Sequence, residues 1–355
     1  MNTGARILLN TTLAVLGTYF CFLAIAEAKG FLAPLSTAFI LALVVVPLSS
    51  KLERAGMPRI VASLLNTFLL FLFSIAFMAL ISFQVKSFVA EWSLIQRTME
   101  PKMEELQTFI FEHTPLTKAD FKRYRYNEEG KMPFWDDMNH RKRAIGVFAK
   151  TMNFLGIYIL TFIYIFFILN YRSRFRKFLL RLFPDERKGK VNKIMKESAR
   201  VTQQYLIGKL ILMALLAVVY SIGLGISGVN NYILISLIAA LVTLIPYVGN
   251  IIGLALAMGF GYLTSGDFSV LVGVVVTFTV AQFVESYVLQ PYIVGDKVGL
   301  HPFVVIAVVV AGSALWGVIG MILAIPLMAI ITVVFLHISP LEPFGFLFSK
   351  KTSSD

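Results

Sequence analysis

The 355-residue chain predicts an all-α polytopic membrane protein: six transmembrane helices, two inverted re-entrant hairpins that bring the membrane segments to eight, and a small extracytoplasmic helical hairpin. Three observations carry this. The chain is 57% apolar and 15% charged, with mean hydropathy +0.78, against about 45–50% and about 25% for a soluble domain. Several stretches exceed 18 residues with hardly a charge, enough to cross a ~30 Å hydrocarbon layer. Two further apolar stretches are broken in the middle by proline or glycine.

The spans fall near 7–28, 31–50, 60–83, 145–169, 205–227 and 268–290. The first begins at Ile7 and runs longer than a signal-peptide core, so a retained helix is expected. The net charge of +12 is concentrated: residues 170–204 hold 11 of the 32 Lys and Arg against 3 of the 20 Asp and Glu. A basic block between two apolar spans marks a cytoplasmic loop rather than a nucleic-acid surface, and no nucleic-acid partner is expected. The short loop Lys51–Arg59 is also basic and the tail carries Lys350 and Lys351. Alternating six spans from a cytoplasmic N-terminus puts all three segments inside, which places both termini there.

The stretch 232–264 is interrupted by Ile245-Pro246-Tyr247-Val248-Gly249-Asn250, where Pro246 lacks a helix donor and Gly249 permits a turn. Its first leg, 232–245, makes about 21 Å of helix, short of a ~30 Å core. The stretch 303–337 carries Gly312, Gly317 and Gly320 between its legs, the first leg again being short. Each reads as a re-entrant hairpin, the first entering from outside and the second from the cytoplasm. Together with the preceding spans they form an inverted pair, and interrupted segments at matching positions point to a transporter's substrate site. Two tilted short spans per stretch are the alternative.

Five units follow: a three-span unit at 1–83, an extracytoplasmic insertion at 84–144, the fourth span with its basic loop at 145–204, a transport core at 205–340 and a cytoplasmic tail at 341–355. In the insertion Val85, Phe88, Trp92, Ile95, Met99, Leu106 and Phe109 fall on a heptad-like stripe, predicting a helix kinked near Pro101. A turn at Thr114 and Pro115 and a cap at Thr117 complete a hairpin that serves as a subunit contact or lid, or packs on itself. In the basic loop, Phe175, Phe178, Leu179, Leu182 and Phe183 make one apolar face ringed by Arg172, Arg174, Arg176, Lys177 and Arg181. The pattern predicts an interfacial helix over 172–183 held by anionic lipid and ended by Pro184, then a second amphipathic helix leading into the fifth span.

Motifs exclude much chemistry. No glycine-rich loop ends in Gly-Lys-Ser/Thr, and no GxSxG or HExxH appears, so an enzyme or nucleotide-driven motor is not expected. One cysteine, Cys21, and four scattered histidines give no disulfide framework and no metal or other cofactor. At membrane depth Glu285 stands out, because an intramembrane carboxylate is costly and by default functional. It sits about 9 Å from its span's midpoint, where coupling to an ion, contact with a solute, a structural pair with Lys209 and snorkelling all remain open. Gln282, Ser286 and Gln290 lie near it, and the hairpin tips add Pro246, Tyr247, Asn250, Ser313 and Trp316. A half-helix starting near Asn250 would offer N–H donors to a polar ligand; alternatively Gly249 and Gly253, spaced as GxxxG, allow close packing.

In order and spacing, Ile245 to Gly249, Glu285, Gln290-Pro291-Tyr292-Ile293-Val294-Gly295, Val298-Gly299-Leu300-His301-Pro302, Gly312 to Gly320 and Ala324-Ile325-Pro326 resemble the autoinducer-2 exporter family of bacterial permeases. The resemblance implies a transporter of eight membrane segments, a homo-oligomer with a pentamer as family precedent, and a small polar solute, autoinducer-2 in some members and sodium or lithium exchanged for protons in others. Asn250 stands where the family commonly has proline, and Ser286 where it commonly has asparagine. A membrane scaffold is the competing class; it has no use for two broken helices, whose unpaired backbone groups are costly in lipid.

Overall fold

The computed structural model describes residues 3–90, 140–246, 248–265, 267–294 and 299–350. Helices α1 (Thr3–Glu27), α2 (Lys29–Arg54) and α3 (Arg59–Ala90) come first, then α4 (His140–Arg181) and α5 (Asp185–Ile226). The first broken stretch forms α6 (Tyr232–Val242) and α7 (Val248–Ser265), and α8 (Phe268–Val284) runs directly into a π-helical segment, Glu285–Val294. The second forms α9 (Pro302–Trp316) and α10 (Val318–Leu336), followed by a 3₁₀ turn at Ser339–Leu341 and the short α11 (Glu342–Phe348). Among the described residues no strand forms beyond a single antiparallel bridge, Leu300 to Ser349.

All six predicted spans are helices, and by length and composition a seventh helix, α10, is also long enough to cross a bilayer. The protein is an all-α, multi-pass membrane protein. Large apolar side chains on the outer faces, such as Phe73 at 69% and Phe83 at 70% exposed, need an apolar surround, which lipid supplies.

Both broken stretches fold back on themselves. α6 has 11 residues and α9 has 15, about 16 and 22 Å of helix. The α9–α10 turn is made by Gly317 at φ +64°, a region L-residues with a Cβ rarely adopt. Below the turn Gly312 faces Gly320 so closely that a Cβ on Gly312 would lie 2.5 Å from the Gly320 carbonyl oxygen.

The basic loop departs from expectation. The segment 172–183 is not a separate interfacial helix: α4 runs unbroken from the fourth span to Arg181. Its side chains explain why. Arg172 forms a 2.8 Å ion pair with Glu53 and donates to Ser49, while Arg59 donates to Ser173 at 2.6 Å. These contacts tie the ends of α2, α3 and α4 together and hold α4 in register. As expected, the chain turns at Pro184 and an amphipathic helix leads straight into the fifth span, so the boundary drawn at 204/205 lies inside one helix. Most of the 84–144 insertion, with its predicted kink at Pro101 and cap at Thr117, lies outside the described residues.

One core lies where α5 meets the first hairpin and α8. Leu212, Leu216, Tyr220 and Leu224, spaced by four along α5, are buried against Ile235, Ala239, Ala257, Val274 and Phe278. Tyr220 stacks on Phe278 at 4.5 Å, and Gly223 lets Thr277 come in against α5. A second core joins Leu300, Val304, Val309, Ile325, Met328 and Ala329 of the second hairpin and its approach, and α10 packs on α5 as well. Thus α5 is shared by both hairpins.

Candidate polar cavity at the π-helical junction

The site begins with a change of helix register. α8 carries Gln282 in its last turn, and at Glu285 the backbone widens into a π segment that contains Pro291. Proline has no N–H and its ring clashes with the carbonyl four residues back, which a wider turn relieves. In that register the residue five along returns to the same side, so Gln290 joins Glu285 on one wall.

Glu285 is 6% exposed. The first hairpin supplies its hydrogen-bond donor: Asn250, in the first turn of α7, donates from Nδ2 to Glu285 Oε2 at 3.3 Å and to Gln282 Oε1. Gln282 in turn donates from Nε2 to Ser286 Oγ at 2.9 Å. A continuous polar chain, Asn250, Gln282, Ser286 and Glu285, therefore links the hairpin tip to the α8 junction.

This chain lines a cavity of about 660 Å³, within the ~300–1,000 Å³ typical of small-molecule sites. α5 contributes Tyr205, Lys209 and Leu212; the first hairpin Thr243, Ile245, Pro246, Asn250 and Ile251; the π segment Glu285, Ser286 and Gln290. The far wall is Gly299, Leu300, Pro302 and Val305 at the start of the second hairpin, with Ile325 of α10 and Lys350 of the tail. Lys209 and Glu285 share the cavity, but among the described residues no ion pair joins them; ion pairs form at Glu53 and Asp185, and His337 Nε2 lies 3.4 Å from Glu197.

The structure thus gathers Glu285, Gln282, Ser286, Gln290, Pro246, Asn250 and Lys209 around one cavity. Tyr247 lies outside the described residues. Gly249 does not line the cavity: a Cβ there would run into the Val242 carbonyl, and Gly253 packs on Ala239, so this GxxxG pair serves hairpin closure. The N–H groups of Val248 and Gly249 are already bonded to Pro246 O and Ile245 O, so these two do not point at a ligand.

The tip of the second hairpin is elsewhere. Trp316 Nε1 donates to Ile25 O near the end of α1 at 3.0 Å, and Ser313 O accepts from Gly317 N. Among the described residues, Gly312, Ser313, Trp316 and Gly317 are absent from the lining of this cavity, which lies between the tip of the first hairpin and the base of the second. The reason is geometric: with a 15-residue first leg and a 19-residue second leg, the second hairpin extends roughly 22–28 Å from its base, and its turn lies a leg's length from the Gly299–Pro302 base that walls the cavity.

The sequence by itself does not assign Tyr205, Thr243, Gly299 to Pro302 or Lys350 to the cavity. The Gly299–Pro302 run was visible as a motif, with His301 capping α9 by accepting from Phe303 N–H at 3.3 Å. Nothing in the sequence placed the tail against it.

Comparison with known proteins places the chain in a family. A family model described as "AI-2E family transporter" matches residues 9–339. The chain is 24% identical over 326 residues to "Putative transport protein YrrI" of Bacillus subtilis (strain 168), covering 87% of each chain. It is 26% identical over 192 residues to "Putative transport protein YueF" of the same organism, covering 54% of this chain and 52% of that one. The polar cavity, the two folded-back segments and the match over nearly the whole length lead to one assignment: this chain belongs to the AI-2E family of membrane transporters.

Proposed function

We propose that this transporter exports a small polar solute, autoinducer-2 being the leading candidate, across the bacterial inner membrane with both termini in the cytoplasm. The observation that carries the reading is the carboxylate of Glu285, 6% exposed at membrane depth and bridged by Asn250 to a polar wall. A buried charge in a membrane protein is costly and is kept where a pathway needs it. The solute binds against Asn250, Gln282, Ser286 and Gln290, and the first hairpin swings or gates against α5 to alternate access, hinging where Pro246 interrupts the backbone hydrogen bonds. Glu285 carries a proton or sodium ion or bonds the solute directly. A homo-oligomer, with a pentamer favoured, and anionic lipid bound along 172–183 complete the picture.

Because the same buried carboxylate suits ion exchange, a sodium/proton antiporter is the second reading. Reconstituted flux separates them: autoinducer-2 and sodium are each followed in proteoliposomes with and without a pH gradient. Solute flux without sodium flux supports export, and sodium flux that follows pH in the absence of organic solute supports antiport. Absence of both leaves the scaffold class.

A further inference from the structure

We propose that the C-terminal segment is a strap over the cavity: Ser349 and Lys350 pair with Gly299 to His301 to close one wall, and the pairing opens when the cavity exchanges its contents. The strap rests on the transport reading and adds a second gate to the same site.

Its pairing follows from local sequence. His301 precedes Pro302, which disfavours helical backbone at His301, and it is extended at φ −65°, ψ 136°. Gly299, at φ 58°, turns the chain into it, in a region where a Cβ is costly. Ser349 ends α11 and is extended as well, at φ −86°, ψ 153°. The two extended pieces meet as the antiparallel bridge of Leu300 with Ser349. His301 N–H donates to Phe348 O at 2.8 Å, and Lys350 N–H donates to Gly299 O at 2.7 Å. Both bonds flank the bridged residues rather than join them, so Leu300 and Ser349 form the close, non-hydrogen-bonded kind of pair, with Cα atoms about 4.5 Å apart.

The two ends of the strap are held differently. Its root is packed on α10: Phe335 meets Phe344 at 6.4 Å and Phe348 at 6.0 Å between ring centroids, and a Cβ on Gly345 would lie 2.7 Å from the Leu336 nitrogen. Its far end joins the base of α9 through a bridge one residue pair long. Such a short contact belongs to the low-stability end of a fold, where local opening is frequent. Gly299, Leu300 and Pro302 line the cavity from one side of the bridge and Lys350 from the other. Separating the pair therefore parts the cavity wall while α11 stays seated on α10.

A disulfide tests this, because a close antiparallel pair lies within the Cα reach of one. In the full chain carrying Cys21→Ala, Leu300→Cys and Ser349→Cys are oxidised to lock the strap. Thr243→Cys, at a lining position that is 3% exposed, then reports access by its rate of reaction with a small maleimide in proteoliposomes. Two main-chain hydrogen bonds of ordinary net strength favour the closed strap by about tenfold or more. Locking should accordingly cut the labelling rate by at least about tenfold, and reductant should restore it. Lys350→Pro, which lacks the N–H that Gly299 accepts, should raise the rate severalfold, and more than Lys350→Ala, which keeps it; this pair keeps the test open if the cysteine variant fails to fold. A rate unchanged by locking, or a Lys350→Pro rate no higher than that of Lys350→Ala, overturns the strap. Labelling that responds to locking, with no flux of autoinducer-2 or sodium in any of these chains, would defeat the transport reading and leave the strap standing; flux that continues in the locked chain would do the reverse.

Discussion

Asn250 and Glu285 show how two residues 35 apart in the chain define the site. The carboxylate is 6% exposed, and the Asn250 amide bonds both it and Gln282. Removing the amide leaves a buried charged acceptor short of a donor, at about 1–3 kcal/mol. Asn250→Ala should therefore lower the melting temperature and weaken solute binding together, as thermal unfolding and binding on one sample will reveal. Glu285→Gln keeps the shape and the hydrogen bond while deleting the charge. It should fold normally yet abolish ion-dependent flux in proteoliposomes, and unchanged flux would take Glu285 out of the mechanism.

At the scale of elements, the junction of α8 with the π segment and the closure of the second hairpin make different demands. Pro291 forces the wide register that returns Gln290 to the wall of Glu285. Pro291→Ala permits a regular α-helix, which should hold or raise stability while turning Gln290 away; the expected signature is a loss of solute affinity without a loss of melting temperature. The second hairpin instead depends on two backbones in contact at Gly312 and Gly320. Gly312→Val overpacks that contact and should cost about 1–3 kcal/mol or more. It lies away from the cavity, so binding per folded molecule should be largely kept, which separates a scaffold role from a pathway role in one measurement.

Across the whole molecule, the two hairpins are sewn together by α5 and oppose each other end to end. The first presents its tip to the cavity and the second its base. Topology is testable through the single native cysteine, Cys21, replaced by alanine as a background. Cysteines at Asn230 and Ser265, flanking the first hairpin, should be labelled by an impermeant reagent from outside. Those at Phe303 and Ile338, flanking the second, should be labelled only after the membrane is opened. Opposite labelling of the two flanks of either hairpin would mean that it crosses completely, and the tip-to-base site would lose its basis.

Hydropathy and charge determined the helices, their order and the interruptions at Pro246 and Gly312 to Gly320, because burial in lipid and backbone satisfaction act on local runs of sequence. They also singled out Glu285 with Gln282 and Asn250, since a carboxylate in an apolar run is conspicuous wherever it folds. Only tertiary structure decided that Trp316 and its neighbours belong to the far end, that α4 continues straight through its cationic face, and that Lys350 returns to the cavity. Those outcomes rest on contacts between segments far apart in sequence, Trp316 with Ile25, Arg172 with Glu53 and Lys350 with Gly299, and no local pattern of residues encodes which distant partner a side chain will meet.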